Sequence, residues 1–177
     1  MAQWIFFDVG STLVDEAAAY DHRVRDMISG TSITLQEFDN ARIAFAKQCL
    51  DGNSAAIRHF GFTKTPWHAE DEVPYSDTHD TLAALCGKGY QLGIIANQNF
   101  GTAERLELWG LRRFFGVIAA SAEIGYAKPD KRIFERALDM AGCRAAESMM
   151  VGDRLDNDIA PAKALGMKTV WMKNGLA

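Results

Sequence analysis

A short apolar segment that ends on an acidic residue constrains the fold of this chain more than any other feature. Residues 3–7 (Q-W-I-F-F) have the composition of a buried strand, and Asp8 follows them at once. An ionised carboxylate is rarely placed beside an apolar strand unless a partner neutralises it. The carboxyl end of a parallel strand is also where open α/β sheets bind their ligands. We therefore expect Asp8 to lie in a binding site rather than merely to cap a turn.

The second half of the chain alternates predicted strands with predicted helices. After the first strand, the apolar runs that predict strands cover residues 90–96, 117–120, 148–151 and 168–172. Alternation at this spacing predicts right-handed crossovers and a parallel sheet. We therefore predict an α/β fold whose core is a three-layer, Rossmann-like parallel sheet.

A helical block separates the first predicted strand from the rest of the sheet. Thr34 and Glu37 form a capping-box pattern at the start of one of its helices. The apolar spacing predicts helices over residues 15–30, 34–50 and 54–60, followed by a proline-containing loop over residues 63–75. We predict a small helical cap of residues 15–75, inserted into an α/β core domain made of residues 1–14 and 76–177.

Charge and hydropathy exclude several classes of partner. The net charge of -4 and the pI near 5.5 lack the basic surface that nucleic acids or anionic membranes require. No apolar run approaches the roughly 20 residues needed to span a bilayer, and no basic segment precedes the first apolar run as in a signal peptide. We expect no nucleic-acid or membrane partner, and a protein that is a monomer or a homodimer.

Neither the cysteines nor the histidines form a recognisable metal-binding pattern. The cysteines are widely separated and include no C-x-x-C pair: Cys49, Cys86 and Cys143. They are typical of thiols in a reducing compartment, so we expect a cytoplasmic protein. The histidines show no zinc-ligand spacing: His22, His59, His68 and His79.

Polar residues follow the predicted strands at what should be one edge of the sheet. Asp8, Asn97 and Asp153 come directly after strands, and Lys128 lies in the loop after another. Two carboxylates brought together repel each other unless a cation lies between them. Oxygen ligands favour a hard cation, so the pattern indicates Mg²⁺. Lys128 would balance an anionic ligand, most simply a phosphoryl group, and the small loop Val9-Gly10-Ser11 would let main-chain N–H groups approach it.

Four stretches give the chain a resemblance to a known family. They are F-F-D-V-G-S-T-L, L-G-I-I-A-N-Q, A-K-P-D-K-R-I-F and V-G-D-R-L-D-N-D-I, the last followed by A-K-A-L-G-M. Together they resemble the haloacid dehalogenase (HAD) superfamily, in its phosphatase-like branch with an inserted helical cap. The resemblance runs over essentially the whole chain, and it implies a Mg²⁺-dependent phosphatase acting on a small phosphorylated metabolite.

The resemblance also implies a role for each matching residue. Asp8 would be the nucleophile that forms an aspartyl-phosphate, and Lys128 would orient it and neutralise phosphate charge. Asp153 would bind the metal directly together with Asp8 and the main-chain carbonyl of Gly10. Asp158 would support the metal through water or hydrogen bonds.

The sequence departs from the family pattern at two positions. The second aspartate of family phosphatases, which protonates the leaving group and activates water, is replaced by Gly10. The serine or threonine that usually binds phosphate after the second strand is replaced by Ala96, and Asn97 or Gln98 would have to supply that hydrogen bond.

These departures leave alternatives open. A nearly inactive protein that binds Mg²⁺ and an anion is the main one. A dehalogenase needs no Mg²⁺, which the acidic G-D-R-L-D-N-D stretch disfavours, and a phosphonatase needs a cap lysine, for which Lys47 and Lys64 are the candidates. The nearest residues that could replace the missing acid are Asp15, Glu16 and His22.

Overall fold

The computed structural model describes residues 3–48 and 50–174, so Cys49 lies outside the described residues. Its main feature is a five-stranded parallel sheet with strand order β5-β4-β1-β6-β7. The strands are β1 Trp4–Phe7, β4 Gln91–Ala96, β5 Phe115–Ala120, β6 Ser148–Gly152 and β7 Lys168–Trp171. The predicted parallel α/β core is thereby confirmed, with the first strand at the centre of the sheet.

The central strand β1 is buried on both faces, as expected for a parallel sheet covered on both sides by helices. Ile5 and Phe7 belong to one apolar cluster, whereas Trp4 and Phe6 belong to a second. This division follows from the two-residue period of a strand, which sends alternate side chains to opposite faces. The run Q-W-I-F-F therefore contributes side chains to the apolar clusters on both faces of the sheet. Strand β1 ends with this run, immediately before Asp8.

Helices cover the sheet and connect its strands. They are α4 Thr78–Gly87, α5 Thr102–Leu108, α6 Ser121–Ile124, α7 Lys131–Ala141 and α8 Ala160–Ala164. The longest of them, α7, buries Ile133, Phe134 and Ala137 and begins at Asp130, whose side chain accepts a hydrogen bond from the Arg132 N–H. Asp130 thus caps the helix.

The chain divides into two compact units. Among the described residues, one contains residues 3–14 and 74–174, and the other contains residues 15–73. The chain passes between them at two short strands, β2 Val14–Asp15 and β3 Val73–Pro74, which pair with each other. That the second unit acts as a cap remains a prediction.

The second unit is helical and has a core of its own. Its helices are α1 Ala17–Ile28, α2 Leu35–Ala46 and α3 Gly52–His59. Val24, Met27, Phe38 and Ala56 form its buried centre. The predicted capping box of α2 is present, with the Thr34 and Glu37 side chains each bonded to the other's main-chain N–H.

Several boundaries differ from the sequence predictions. Helix α2 ends at Ala46 rather than near residue 50, and the loop over 63–75 contains a 3₁₀ turn, Ala69–Asp71. Helix α4, for which Ser76 is the N-cap that the sequence predicts, begins instead at Thr78, whose hydroxyl donates a hydrogen bond of 2.8 Å to the Leu13 carbonyl. A contact so distant in sequence has no local signal. In the described part of the chain, every helix is too short or too polar to cross a membrane.

Gly93 in β4 offers a test of how tightly the sheet packs. A Cβ added there would lie 2.7 Å from the Phe6 ring and 3.3 Å from the Val117 carbonyl oxygen. Phe6 is fully buried and stacks on Trp4, so it has little room to move. We expect Gly93→Ala to lower the free energy of unfolding by about 1–3 kcal/mol in a urea titration.

Gly87→Ala is the matched control, because a Cβ at Gly87 in α4 would meet nothing within 4 Å. That change should leave the free energy of unfolding unchanged or raise it slightly, because alanine stabilises a helix relative to glycine by about 0.5–1 kcal/mol. Equal effects of the two substitutions would contradict the packing described at Phe6.

Candidate active site

A buried lysine joins two of the sheet-edge carboxylates. The Lys128 Nζ lies 2.7 Å from Asp8 Oδ1 and 2.6 Å from Asp158 Oδ1. The side chains of Lys128 and Asp158 are almost fully buried, and that of Asp8 is 15% exposed. Charge-assisted hydrogen bonds of this length, removed from water, hold their partners in one geometry. Asp8 therefore presents a fixed carboxylate at an edge that ligands can still reach.

The position of Lys128 depends on its main chain as well as on its ammonium group. The Asn97 side chain accepts a hydrogen bond of 2.7 Å from the Lys128 N–H and donates one of 2.9 Å to the Lys128 carbonyl. Asn97 follows β4, the neighbour of β1 in the sheet, and the Lys128–Pro129 peptide bond is cis. The asparagine thus ties the lysine loop to the strand end beside Asp8.

Asp158 reaches the lysine from a short π-helical turn, Leu155–Ile159, that follows β6. Its Oδ2 accepts a hydrogen bond of 2.9 Å from the Arg154 N–H, while Oδ1 accepts from Lys128. The turn crosses close above Gly152, where an added Cβ would lie 2.5 Å from the Asp158 Cγ. Only glycine at position 152 leaves room for this carboxylate. The sequence Gly152-Asp153 therefore helps to build the site and is not an ordinary turn.

Asp153 completes an acidic cluster. It is 7% exposed, and Trp171 Nε1 donates a hydrogen bond of 2.9 Å to its main-chain carbonyl. One carboxylate oxygen from each of Asp8, Asp153 and Asp158 lies within 4.8 Å of the others. Burial, and then the charges of Asp8 and Asp158, raise the pKa of Asp153 to about 7. Three carboxylates thus face a single ammonium group, and the chemistry of this oxygen-donor set fits a hard divalent cation.

The same charges set the proton affinity of the buried pair. Burial alone would lower the pKa of Lys128, but Asp8 and Asp158 outweigh it and raise that pKa, so the lysine stays charged. Burial and then Asp8 raise the pKa of Asp158, against the opposing effect of Lys128. A cation beside Asp8 and Asp153 would favour the ionised carboxylates.

The loop after Asp8 turns sharply back on itself. Ser11 has a φ of +53°, an uncommon conformation for a residue other than glycine. The Ser11 N–H donates to the Val14 carbonyl at 2.8 Å, and the Val14 N–H donates to the Val9 carbonyl at 3.1 Å. Neither hydrogen bond uses the main-chain groups of Gly10. The Ser11 N–H, expected to bind phosphate, is thus already bonded within the loop.

The polar groups next to Ala96 already form some hydrogen bonds with other residues. Ala96 is fully buried and brings no hydroxyl group. The Gln98 N–H donates a hydrogen bond of 3.1 Å to the Ser121 hydroxyl, and the Gln98 side chain accepts one from Arg105. Asn97 uses one amide N–H for the Lys128 carbonyl, which leaves its second N–H as the nearest replacement donor.

The three residues suggested as replacements for the missing acid belong to the second unit. Asp15 accepts a hydrogen bond of 2.9 Å from the Ala17 N–H at the start of α1, and His22 is 2.7 Å from Asp71. Glu16 is the N-terminal neighbour of the same helix. Asp15 and His22 therefore have structural partners within their own unit.

Two features of the site were missed in the sequence. Gly152 is required by the approach of Asp158, and Thr12 holds a buried hydroxyl that finds no hydrogen-bond partner among the described residues. The close approach at Gly152 depends on the π-helical turn, which has no sequence signature. Thr12 lies within the resembling stretch D-V-G-S-T-L, and that stretch was the available signal.

Comparison with known proteins identifies what the chain is similar to. The family of haloacid dehalogenase-like hydrolases matches residues 5–172. A glyceraldehyde 3-phosphate phosphatase of Methanothermobacter thermautotrophicus is 31% identical, with 99% of this chain and 88% of that protein covered. The pyrophosphatase PpaX of Bacillus velezensis is 34% identical, with 93% and 80% covered. Among solved structures, a HAD phosphatase from Thermococcus onnurineus shares the fold with a TM-score of 0.67 and 24% identity, covering 97% of this chain and 86% of that one.

The raised pKa of Asp153 predicts a pH-dependent stability difference in metal-free protein. Because the folded state holds this proton up to about pH 7 and the unfolded state only to about 3.8, the stabilising contribution is present below pH 3.8 and is lost as the pH rises through 7. In EDTA, Asp153→Asn should therefore melt at a higher temperature than the parent at pH 8, and the difference should shrink towards pH 4.

Thermal melts of both proteins across this range are the measurement. Added Mg²⁺ should reverse the order at pH 8, because the cation stabilises the parent by binding its folded state. A difference in melting temperature that does not change with pH would contradict the described burial of Asp153.

Proposed function

The chain belongs to the haloacid dehalogenase-like hydrolase family, and we propose that it is a Mg²⁺-dependent phosphatase that works through an aspartyl-phosphate on Asp8. The observation that carries this proposal is the Lys128 ammonium group, which bonds to both Asp8 and Asp158 beside a third carboxylate. A purely structural ion pair would not need the additional buried acid Asp153. A divalent cation would balance the three carboxylates, and an anionic substrate would balance the cation together with the Lys128 ammonium group.

Asp8 is the proposed nucleophile. Lys128 holds its Oδ1, so the other carboxylate oxygen is the one placed to attack. In the first step this oxygen forms a bond to phosphorus while the bond from phosphorus to the ester oxygen breaks. In the second step water attacks phosphorus, the acyl phosphate bond breaks, and inorganic phosphate leaves. Phosphoryl transfer needs positioning and charge neutralisation above all, which a fixed Asp8 beside a charged Lys128 supplies.

The proposed metal site uses oxygen ligands around the end of β1. The carboxylates of Asp8 and Asp153 and the main-chain carbonyl of Gly10 would bind Mg²⁺, with Asp158 supporting them from behind. When bound, the cation neutralises charge on the phosphoryl oxygens. Asp158 has both oxygens engaged, with Lys128 and with the Arg154 N–H. This supports a role in orienting Lys128 rather than in direct ligation.

Phosphate oxygens would be bound by the main chain after Asp8 and by the lysine. We assign this role to the N–H groups of Val9 and Gly10 and to Lys128, with the second amide N–H of Asn97 as a further donor. Ser11 remains part of this set through its place in the loop, although its N–H donates to Val14 in this structure. This arrangement would compensate in part for the missing hydroxyl at Ala96.

The substrate is a small phosphorylated metabolite. The relatives' names point to a triose phosphate ester or to pyrophosphate, and glyceraldehyde 3-phosphate is the first compound to test. A cytoplasmic location and a monomeric or homodimeric state remain predictions.

The first test of this function compares variants within the site. With glyceraldehyde 3-phosphate and a panel of small phosphate esters, phosphate release should require Mg²⁺. Asp8→Asn should lower turnover by at least about three orders of magnitude, because it removes the attacking oxygen. Asp158→Asn should cost about 10–100-fold through loss of lysine orientation.

Asp156→Asn is the matched control. Asp156 lies in the same acidic stretch, but its side chain is 64% exposed and pairs with Arg154 at 2.7 Å. Turnover should stay within about twofold of the parent. Retained activity in Asp8→Asn would eliminate Asp8 as the nucleophile. Absence of turnover in the parent, with Mg²⁺ still bound, would favour the binding protein without catalysis.

Gly10 generates a separate prediction. General acid–base assistance is worth about 10²–10⁴ in rate, and glycine has no side chain to provide it. Gly10→Asp should therefore raise the steady-state rate of ester hydrolysis, measured at saturating Mg²⁺. An unchanged or lower rate, in a variant whose circular dichroism matches the parent, would mean that another group already supplies the acid.

A further inference from the structure

Two histidines of the second unit lie against each other in a cluster of carboxylates. The His22 and His68 rings are stacked with centroids 3.5 Å apart and planes 7° from parallel. His22 Nδ1 is 2.7 Å from Asp71, while His68 is 2.7 Å from Asp26 through Nε2 and 3.1 Å from Glu70 through Nδ1. We call these five residues the histidine cluster. None of them belongs to the proposed phosphatase site.

The cluster is assembled from two chain segments. His22 and Asp26 are four residues apart, and therefore share a face of α1. His68, Glu70 and Asp71 lie at the 3₁₀ turn within the loop predicted over residues 63–75. The pairing of the two histidines, which sequence spacing does not reveal, is thus a product of tertiary structure.

Neighbouring contacts hold the two segments together without the cluster. The Thr65 hydroxyl donates to the Arg23 carbonyl at 3.1 Å, and the Arg23 Nε donates to the Pro66 carbonyl at 3.2 Å. Tyr20 packs edge-on against Trp67, with ring centroids 4.8 Å apart. The histidines are therefore brought together on a framework that does not depend on their own interaction.

Donor atoms of two kinds are concentrated in the cluster. Three carboxylates surround two imidazoles, and a face-to-face sandwich is not the arrangement that aromatic rings prefer. Ring nitrogens and carboxylate oxygens together form a donor set that can hold a divalent cation.

We propose that His22, His68 and Asp71 form a binding site for a divalent transition metal, with Zn²⁺ the best match. One ligand atom from each residue lies within 4.8 Å of the others. Tetrahedral zinc with bonds of about 2.0–2.2 Å requires ligand atoms about 3.4 Å apart. Ligand atoms as far apart as 4.8 Å must therefore approach by about 1.4 Å, whereas His22 Nδ1 and Asp71, 2.7 Å apart, must separate by about 0.7 Å if both bind. The stack opens as they do so, because a ring nitrogen binds a metal in the plane of its ring.

The donor set distinguishes this site from the acidic centre. Imidazole nitrogen favours zinc, cobalt and nickel, whereas a set made only of oxygens favours Mg²⁺. Asp26 and Glu70 contact the two ring nitrogens of His68, so a bound metal would displace one carboxylate and the other would orient the ligating ring. Water completes the coordination, and the bound metal links α1 to the segment that carries His68.

Cobalt is the probe for the test, because Co²⁺ bound tetrahedrally by nitrogen and oxygen absorbs visible light much more strongly than octahedral Co²⁺. Hydrogen bonds that His68 donates to Asp26 and Glu70 raise the pKa of His68, so protons compete with the metal. The titration is therefore done at about pH 8, above the ordinary pKa of histidine. Excess Mg²⁺ is present to occupy the acidic centre.

We expect one equivalent of Co²⁺ to give the intense band and Zn²⁺ to abolish it by displacement. His22→Gln and His68→Gln should each weaken binding at least tenfold, while His59→Gln, an exposed histidine of the same unit, should leave it unchanged. Zn²⁺ should raise the melting temperature of the parent and of His59→Gln, but not of the other two variants.

The absence of the band in the folded parent at excess Co²⁺ would overturn the proposal. So would a band that persists in both His22→Gln and His68→Gln. Circular dichroism of each variant establishes that it is folded. Phosphatase activity is not a readout here, so failure of this site and failure of the proposed function remain distinguishable.

Discussion

The ion pairs of Lys128 with Asp8 and Asp158 are the interaction on which the rest of the site depends. Three charged groups buried at a sheet edge are costly to remove from water, and breaking such a pair leaves an uncompensated charge that costs about 3–5 kcal/mol. The ion pairs must therefore be held in place. The Asn97 hydrogen bonds position Lys128, and the absence of a side chain at Gly152 lets Asp158 approach it. The fold is thus arranged to hold a charge pattern that it would not need for stability alone.

That pattern is incomplete without an additional cation. Burial, and then the charges of two other carboxylates, raise the pKa of Asp153 to about 7. The like charges that raise this carboxyl pKa also favour the binding of a positive charge, such as a divalent metal ion. The site proposed in the histidine cluster differs, because its nitrogen donors favour a different metal. The two proposed cation sites are therefore distinct in their ligand chemistry.

Much of the fold could be predicted because it depends on short-range pattern. The continuous apolar run Trp4–Phe7 predicts a buried strand, and the parallel arrangement then brings Asp8 and Asp153 to one edge. Contacts between distant segments could not be predicted. The bond from Thr78 to Leu13 moves the start of α4, the π-helical turn places Asp158 over Gly152, and the fold brings His22 beside His68. None of these contacts has a periodicity or a spacing that the sequence displays.

The central claim is that Asp8 attacks phosphorus, and trapping the intermediate tests it most directly. The protein is mixed with glyceraldehyde 3-phosphate and Mg²⁺, quenched in acid within the first turnovers, digested, and analysed by mass spectrometry. The account predicts that the peptide containing Asp8 gains the mass of one HPO₃, that fragmentation places it on Asp8, and that brief treatment with base removes it. Turnover accompanied by a phosphorylated residue other than Asp8 would contradict the account.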